Sequence, residues 1–127
     1  MQSQPSVLIV DPSQDTREVL RAALSRQGVR VLEAHARSEG LSIAQQQQPD
    51  VIVVDLDDPA EDTPAVVESF ADGSKSADTA IVILGTARQK KSAAGGDFFT
   101  KPYHYAPLIR TIEERLERCK SSQRPAA

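Results

Sequence analysis

Four residues whose side chains can act on a phosphoryl group each follow a short apolar run of the sequence. Asp11 follows "VLIV", Asp55 follows "VIVV", Thr86 follows "AIVILG" and Lys101 follows "FFT". Carboxylates hold hard cations such as Mg²⁺, which usually takes one or two carboxylates together with phosphate oxygens. A hydroxyl and an ammonium group can bind the other phosphoryl oxygens, and a carboxylate can itself be phosphorylated. If the four side chains converge, they predict chemistry on a phosphoryl group.

Apolar strands that alternate with helical patterns must bring these residues together. The first helix is predicted to begin at the N-cap Ser13 and to stop at Gly28. Alternation without hairpin turns predicts an α/β fold with a five-stranded parallel sheet and helices on both faces. In such doubly wound folds the ligand site lies at the carboxyl ends of the strands, where all four residues fall. The predicted strands are residues 6–11, 29–34, 50–55, 79–86 and 97–102.

The composition is that of an ordinary globular chain, with 127 residues, 39% of them hydrophobic, and a formal net charge of −3. We expect one domain over residues 1–120, followed by a disordered tail or linker over residues 121–127. The net charge argues against a broad nucleic-acid surface, and no apolar run approaches the roughly 20 residues that span a membrane. The single cysteine, Cys119, permits no internal disulfide. Together with a start that does not resemble a signal peptide, it predicts a cytoplasmic protein.

Longer segments around the four residues resemble the receiver domains of bacterial response regulators, the CheY-like domains. The resemblance runs from Ser6 to about Lys120. It is carried by "VLIVDPSQDTREVL" at the first strand, by "DVIVVDLDDPAED" around the family's phosphorylated aspartate, and by "ILGTA" and "FFTKPY" at the last two strands. The resemblance implies a flavodoxin-like fold and a role in two-component phosphorelay signalling.

The same resemblance assigns a role to each of the four residues. Asp55 matches the phosphoacceptor of the family, and Thr86 and Lys101 match the hydroxyl and the lysine that bind the phosphoryl group. Asp11 matches an acid that acts on Mg²⁺ through water. The backbone carbonyl of Asp57 would be a further ligand of the metal, which Asp55 also binds.

Three further positions fit the family motifs. Pro59 matches the proline that usually stands four residues after the phosphoacceptor, and the Lys101–Pro102 bond is expected to be cis. Phe98 matches the aromatic that changes rotamer together with the Thr86 contact, which makes Thr86 and Phe98 the candidate switch residues. Phe98 fits a plain core aromatic on a buried strand equally well.

By resemblance, the partners of the chain are proteins. A histidine kinase or a phosphotransfer protein would donate the phosphoryl group, and a downstream protein would respond to the switch. The resemblance implies a signalling domain and not an enzyme. We expect a monomer or weak dimer, and the net charge and short apolar runs predict no direct contact with nucleic acid or membrane.

Three departures from the family pattern bear on this function. Pro12 stands where the second acid of the pair, a direct metal ligand, is expected, so Mg²⁺ binding should be weakened. The side chains of Asp57 and Asp15 are candidates to compensate. The segment "ARQKKSAAGGD" is about two helical turns shorter than usual, which predicts a shortened or missing fourth helix, replaced by a loop or a single turn. Thr63 also replaces a glycine that is common after the loop acid Asp62.

The sequence leaves two hypotheses open within this family. In the first, Asp55 accepts a phosphoryl group and the domain switches a partner. In the second, the chain is a degenerate receiver, an interaction module that ignores phosphorylation. Retention of Asp55, Thr86 and Lys101 favours the first hypothesis, whereas Pro12 and the short fourth-helix segment favour the second.

Two other classes of protein fit less well. A haloacid-dehalogenase-like phosphatase would share "DLDD", but that motif normally lies on the first strand, and a further acidic motif should follow the lysine. A nucleotide- or flavin-binding module would need a glycine-rich turn after the first strand, and "DPSQDT" contains no glycine.

Overall fold

Five parallel strands form the centre of the chain in its computed structural model, which describes residues 4–58, 60–73, 79–92 and 97–123. Within these residues the strands form one sheet with the order β2-β1-β3-β4-β5. All four pairings are parallel, which confirms the predicted doubly wound α/β fold. The strands are β1 Ser6–Val10, β2 Arg30–Ala34, β3 Val51–Asp55, β4 Ala80–Gly85 and β5 Asp97–Thr100.

Helices cover both faces of this sheet, as the alternating pattern predicted. One face packs against the first and last helices, and the other face packs against the second and third helices. The described helices are α1 Gln14–Ser25, α2 Arg37–Gln47, α3 Thr63–Gly73, α4 Ala87–Ser92 and α5 Tyr105–Gln123. No helix in the described ranges is long and apolar enough to cross a membrane.

The central strand β3 contributes to two separate apolar cores, because successive strand residues point to opposite faces of the sheet. Val51 and Val53 join the core under α1 and α5, whereas Ile52 and Val54 join the core under α2 and α3. All five residues of β3 are buried. This double coverage explains the unbroken apolar run, and it leaves Asp55 at the point where the strand leaves the core.

The first helix begins where the sequence predicted. Ser13 is its N-cap, and the Ser13 hydroxyl accepts the backbone N–H of Thr16 at 3.3 Å. Leu20 and Leu24, one turn apart, are fully buried against the sheet. Gly28 follows the end of the helix with a φ of +78°, a conformation that favours glycine. The turn after β1 therefore leads directly into a helix that is capped and anchored.

The fourth helix is short, as the sequence predicted, but it is present. Since α4 runs from Ala87 to Ser92, the shortened helix is the alternative that the structure shows, and the missing helix or plain loop is not. A capping box starts this helix. The Thr86 hydroxyl accepts the Gln89 N–H at 3.2 Å, and the Gln89 side chain accepts the Thr86 N–H at 2.9 Å. The rest of the shortened segment, residues 93–96, lies outside the described residues.

The last helix extends into the segment that the sequence assigned to a tail or linker. Its apolar face buries Leu108, Ile112 and Leu116 against the sheet. From there α5 continues to Gln123, beyond the expected domain boundary at residue 120. Residues 124–127 lie outside the described residues.

An ion pair joins α5 to the start of β5. The guanidinium of Arg115 donates to both carboxylate oxygens of Asp97, at 2.6 and 2.7 Å, and so lowers the pKa of Asp97 below its ordinary value of 3.8. We expect Arg115→Ala to reduce the free energy of unfolding by about 1 kcal/mol at neutral pH. A carboxyl with a lowered pKa contributes stability above its ordinary pKa and loses it as the pH falls through the lowered value. The difference between wild type and variant should therefore shrink below pH 3.8.

Urea denaturation of both proteins at about pH 7 and about pH 3 measures this effect. Arg110→Ala, at an exposed position of the same helix, controls for the loss of one positive charge from α5. An equal loss of stability at both pH values would show that packing of the Arg115 side chain, and not its charge, is responsible.

Candidate functional site

The candidate phosphoacceptor Asp55 is the last residue of β3, at the carboxyl edge of the sheet. Asp55 lies at the topological switch point of the sheet. Strand β2 lies on one side of β1, and β3, β4 and β5 lie on the other side. Only 8% of Asp55 is exposed. The Nζ atom of Lys101 lies 2.5 Å from Asp55 Oδ1, so two of the four residues singled out in the sequence form an ion pair.

Backbone contacts hold Lys101 in this position. Its N–H donates to the carbonyl of Gly85 at 2.7 Å, which continues the contact between β4 and β5. Its Nζ also donates to the carbonyl of Leu56 at 3.2 Å, in the loop that follows Asp55. The Lys101–Pro102 peptide bond is cis, which confirms that prediction. Lys101 therefore connects the end of β5 with the end of β3.

Asp11 follows β1 and lies next to Asp55 at the same edge. It is 4% exposed, and its Oδ1 accepts the N–H of Ser13 at 2.8 Å. The backbone carbonyl of Asp11 accepts a hydrogen bond from Arg17 at 2.5 Å, and Arg17 in turn pairs with Glu33 on β2. These contacts stabilise the turn between β1 and α1, and they hold a buried acid beside Asp55, the candidate phosphoacceptor.

Burial and like charges raise the pKa of both carboxyls. For Asp11, burial is the largest cause, and the charge of Asp55 raises the pKa further. For Asp55, burial is again the largest cause, while Lys101 acts in the opposite direction and Asp57 and Glu61 add to the rise. A bound cation would offset the repulsion between these carboxylates.

A tyrosine after the Lys-Pro motif lies close to these acids. Burial raises the pKa of Tyr103 to about 12, and the charge of Asp11 is the next cause. Its ring meets the ring of Tyr105 edge to face, with the centroids 5.8 Å apart. Tyr103 thus stays protonated at neutral pH, and it is an apolar neighbour with a polar tip on the α5 side of the site.

A cleft of about 250 Å³ opens beside Asp55. Its lining includes Pro12, Asp57 and an ion pair between Arg37 at the start of α2 and Glu61 before α3. This pair was not predicted from the sequence. The two residues lie 24 positions apart and belong to no motif, so only the fold brings them together.

The oxygen ligands that this site offers fit Mg²⁺, but with one acidic ligand fewer than the family pattern has. Asp11 and Asp55 supply two buried carboxylates, the number that Mg²⁺ usually takes from a protein, and Asp57 lines the same cleft. Pro12 supplies neither a charge nor a side-chain ligand, and Asp15 is exposed in the first turn of α1. In the described part of the chain, no three His, Cys, Asp or Glu side chains are grouped so as to hold a metal ion. Water and phosphoryl oxygens would have to complete the coordination.

The hydroxyl of Thr86 is bound to α4. It donates to Oε1 of Gln89 at 3.2 Å and accepts the backbone N–H of the same residue at 3.2 Å. Gln89 is only 3% exposed, and its Nε2 donates to the carbonyl of Asp58 at 3.0 Å. Gln89 was not among the residues predicted from the sequence. The spacing Thr-x-x-Gln, which is the pattern of a capping box, is the signal that would have found it.

The second candidate switch residue, Phe98, is half-buried on β5 and packs against the core under α2 and α3. Its Cζ lies 2.9 Å from the place where a Cβ atom on Gly85 would be. This position fits both a switch aromatic and a plain core aromatic. Pro59, which matches the proline of the family motif, lies outside the described residues.

Fold and site together define a class, the doubly wound α/β domains with a buried acid–lysine pair at the switch point of the sheet. Residues 7–113 of the chain match the response regulator receiver domain. The chain belongs to this family. Its membership argues against the haloacid-dehalogenase-like alternative.

Relatives of two lengths match the chain. The KDP operon transcriptional regulatory protein KdpE of Escherichia coli is 31% identical over 127 residues, which cover 94% of this chain and 55% of KdpE. Protein PilH of Pseudomonas aeruginosa is 28% identical over 116 residues, which cover 87% of this chain and 96% of PilH. The chain therefore spans about half the length of KdpE and nearly the whole length of PilH.

Solved structures agree with this assignment. The chemotaxis protein CheY4 of Vibrio cholerae superposes with a TM-score of 0.69 at 25% identity, over 88% of this chain and 98% of CheY4. A two-component transcriptional regulator AraC from Clostridium phytofermentans has a TM-score of 0.78 at 18% identity, over 94% of this chain and 98% of its own, which supports the fold alone.

Proposed function

We propose that the chain is a phosphoryl-accepting receiver whose acceptor is Asp55. The observation that carries this proposal is the buried Asp55 carboxylate, with the Lys101 Nζ at 2.5 Å, beside an open cleft at the switch point of the sheet. A buried acid that serves only stability would be better replaced by an apolar residue, because burying a charge is unfavourable. A reactive carboxylate must instead be both held in place and accessible, and the cleft beside Asp55 fits that requirement.

In the proposed reaction, a carboxylate oxygen of Asp55 forms a new bond to phosphorus. The bond between phosphorus and the imidazole nitrogen of a phosphohistidine breaks, and the imidazole leaves with the electron pair. The phosphohistidine belongs to a histidine kinase or a phosphotransfer protein. Asp55 is then an acyl phosphate. The chain acts in this proposal as an acceptor and a switch, and not as an enzyme.

The residues around Asp55 would each take part of the charge of the phosphoryl group. Asp55 and the Asp57 carbonyl would hold Mg²⁺, with Asp11 acting through water, and the metal would supply positive charge next to the phosphoryl oxygens. Lys101 would move from Asp55 to a phosphoryl oxygen, a short step because its Nζ already contacts the carboxylate. The Thr86 hydroxyl would bind another oxygen, and a downstream protein would recognise the change that follows.

The second candidate function is that of a degenerate receiver, an interaction module that does not respond to phosphorylation. Two observations favour it: Pro12 in the wall of the cleft, and the engagement of the Thr86 hydroxyl by α4. In this case the ion pair of Asp55 and Lys101 would be a fixed part of the fold.

Amide NMR spectra distinguish the two candidates. The spectrum is recorded at millimolar Mg²⁺ and again after the addition of beryllofluoride, a mimic of the phosphoryl group on aspartate. The phosphoryl-accepting receiver predicts shifts around Asp55, Thr86 and Lys101 that are lost in Asp55→Ala. Asp72→Ala, at an exposed position of α3, is the control and should respond like the wild type. If the wild-type spectrum does not change, the chain is a degenerate receiver.

A further inference from the structure

Gln89 connects the two segments that a phosphoryl group on Asp55 would reach. It is 3% exposed, in the first turn of α4. Its Oε1 accepts the N–H of Thr86 at 2.9 Å and the hydroxyl of Thr86 at 3.2 Å. Its Nε2 donates to the carbonyl of Asp58 at 3.0 Å, three residues after Asp55. One side chain therefore links the end of β4 with the loop that follows β3.

The backbone of Gln89 is held as well. Its N–H donates to the Thr86 hydroxyl at 3.2 Å, and its carbonyl accepts the hydroxyl of Thr63 at 3.3 Å, from the first residue of α3. The Thr86 hydroxyl thus uses its single donor on Gln89 and one acceptor position on the same residue. It cannot donate to a phosphoryl oxygen without leaving Gln89 Oε1.

We propose that Gln89 is a positioning residue that holds the Thr86 hydroxyl in the capping box of α4 and away from Asp55. This inference rests on the proposed function. A phosphoryl group on Asp55 competes with Gln89 for the Thr86 hydroxyl, so phosphorylation breaks the capping box. The short α4 is then the first segment to respond.

Because α4 is short, the competition for the Thr86 hydroxyl should affect the stability of the helix. Helices this short are unstable on their own, and α4 has only six residues, so its stability depends on its cap and its contacts. Loss of the Thr86 cap exposes the N–H of Gln89 and the start of the helix to water. Two basic residues, Lys90 and Lys91, lie in the last turn of α4 and would move with it.

The test is the affinity of Gln89→Met for beryllofluoride at millimolar Mg²⁺. Methionine has a similar volume but cannot accept the Thr86 hydroxyl, so the variant should bind beryllofluoride about fivefold more tightly, the factor that corresponds to one hydrogen bond of about 1 kcal/mol. A residue with a purely structural role would give weaker binding when replaced, because the site would lose order. Arg88→Met, at the exposed neighbouring position, is the matched control and should leave the affinity unchanged.

Amide hydrogen exchange in α4 gives a second readout. In the wild type, exchange of the α4 amides should become faster when beryllofluoride is added, and in Gln89→Met it should be fast already without it. Tighter binding of beryllofluoride by Gln89→Met than by the wild type supports the inference. Equal or weaker binding by the variant overturns it and leaves the proposed function intact. If neither protein binds beryllofluoride, both the proposed function and the inference are overturned.

Discussion

Pro12→Asp is expected to lower the dissociation constant for Mg²⁺ by at least about tenfold, which is about 1.4 kcal/mol of binding free energy. Pro12 lines the same cleft as Asp55 and Asp57, so a carboxylate at this position would face the cation. The affinity of oxygen-ligand sites rises with the number of charged ligands. The change would add a third side-chain carboxylate to the two that Asp11 and Asp55 supply.

The same change should destabilise the protein when no metal is present. Burial already raises the pKa of Asp11 and Asp55, and Asp55 raises the pKa of Asp11 further. A third acid beside them adds like-charge repulsion. We therefore expect Pro12→Asp to melt below the wild type in EDTA and to gain more than the wild type when Mg²⁺ is added, because binding to the folded state alone stabilises it by mass action.

Calorimetric titration with Mg²⁺ and thermal melts with and without the metal measure both effects. Pro12→Ala is the matched control, since it also removes the proline ring and restores a backbone N–H, but adds no charge. If Pro12→Asp binds Mg²⁺ no more tightly than Pro12→Ala, the missing acid does not limit the site.

Local patterns carried most of the information about the fold. The uninterrupted apolar run of β3 predicted a strand that is covered on both faces, and the structure buries all five of its residues. Ser13 predicted the start of α1 because a capping side chain is a local feature. The same type of signal at Thr86 and Gln89 was overlooked. The sequence therefore predicted a shortened or missing α4, and the structure shows the shortened helix.

The candidate site could be predicted only in part, because two kinds of contact form it. Asp11, Asp55 and Lys101 each close a strand, and parallel strands bring their carboxyl ends to one edge of the sheet, so the topology alone predicts that they meet. The pairing of Arg37 with Glu61 depends on how the loops before α2 and α3 are shaped. No local pattern encodes that shape, and neither residue belongs to a motif.

Topology also could not show that Thr86 is engaged by α4. Its position after β4 predicted that it lies at the same edge as Asp55, which the order of the strands supports. The direction of its hydroxyl depends on competition between partners, and Gln89 is the partner that the structure shows. Gly85 makes this arrangement possible, because it lets three side chains of the site approach the end of β4.

Gly85→Val is expected to reduce the free energy of unfolding by about 3 kcal/mol. A Cβ on Gly85 would lie 2.8 Å from Gln89 Oε1, 2.9 Å from Phe98 Cζ and 3.1 Å from Leu56 Cδ1, all closer than ordinary contact. Valine would add two methyl groups to this space. Since Gln89 is tied to both Thr86 and Asp58, it cannot move aside without losing its hydrogen bonds.

Gly28→Ala separates this crowding from the general effect of replacing a glycine. Gly28 has a φ of +78° and no heavy atom within 4 Å of an added Cβ, so alanine there meets backbone strain but no neighbour and should lose only about 1 kcal/mol. Urea denaturation measures both variants. In Gly85→Val the amide signals of Thr86 and Gln89 should also shift, because the added side chain pushes against the capping box, whereas Gly28→Ala should leave them in place. If Gly85→Val is as stable as the wild type, the prediction is contradicted. The side chains of Phe98 and Gln89 would then be able to move apart at little cost in free energy.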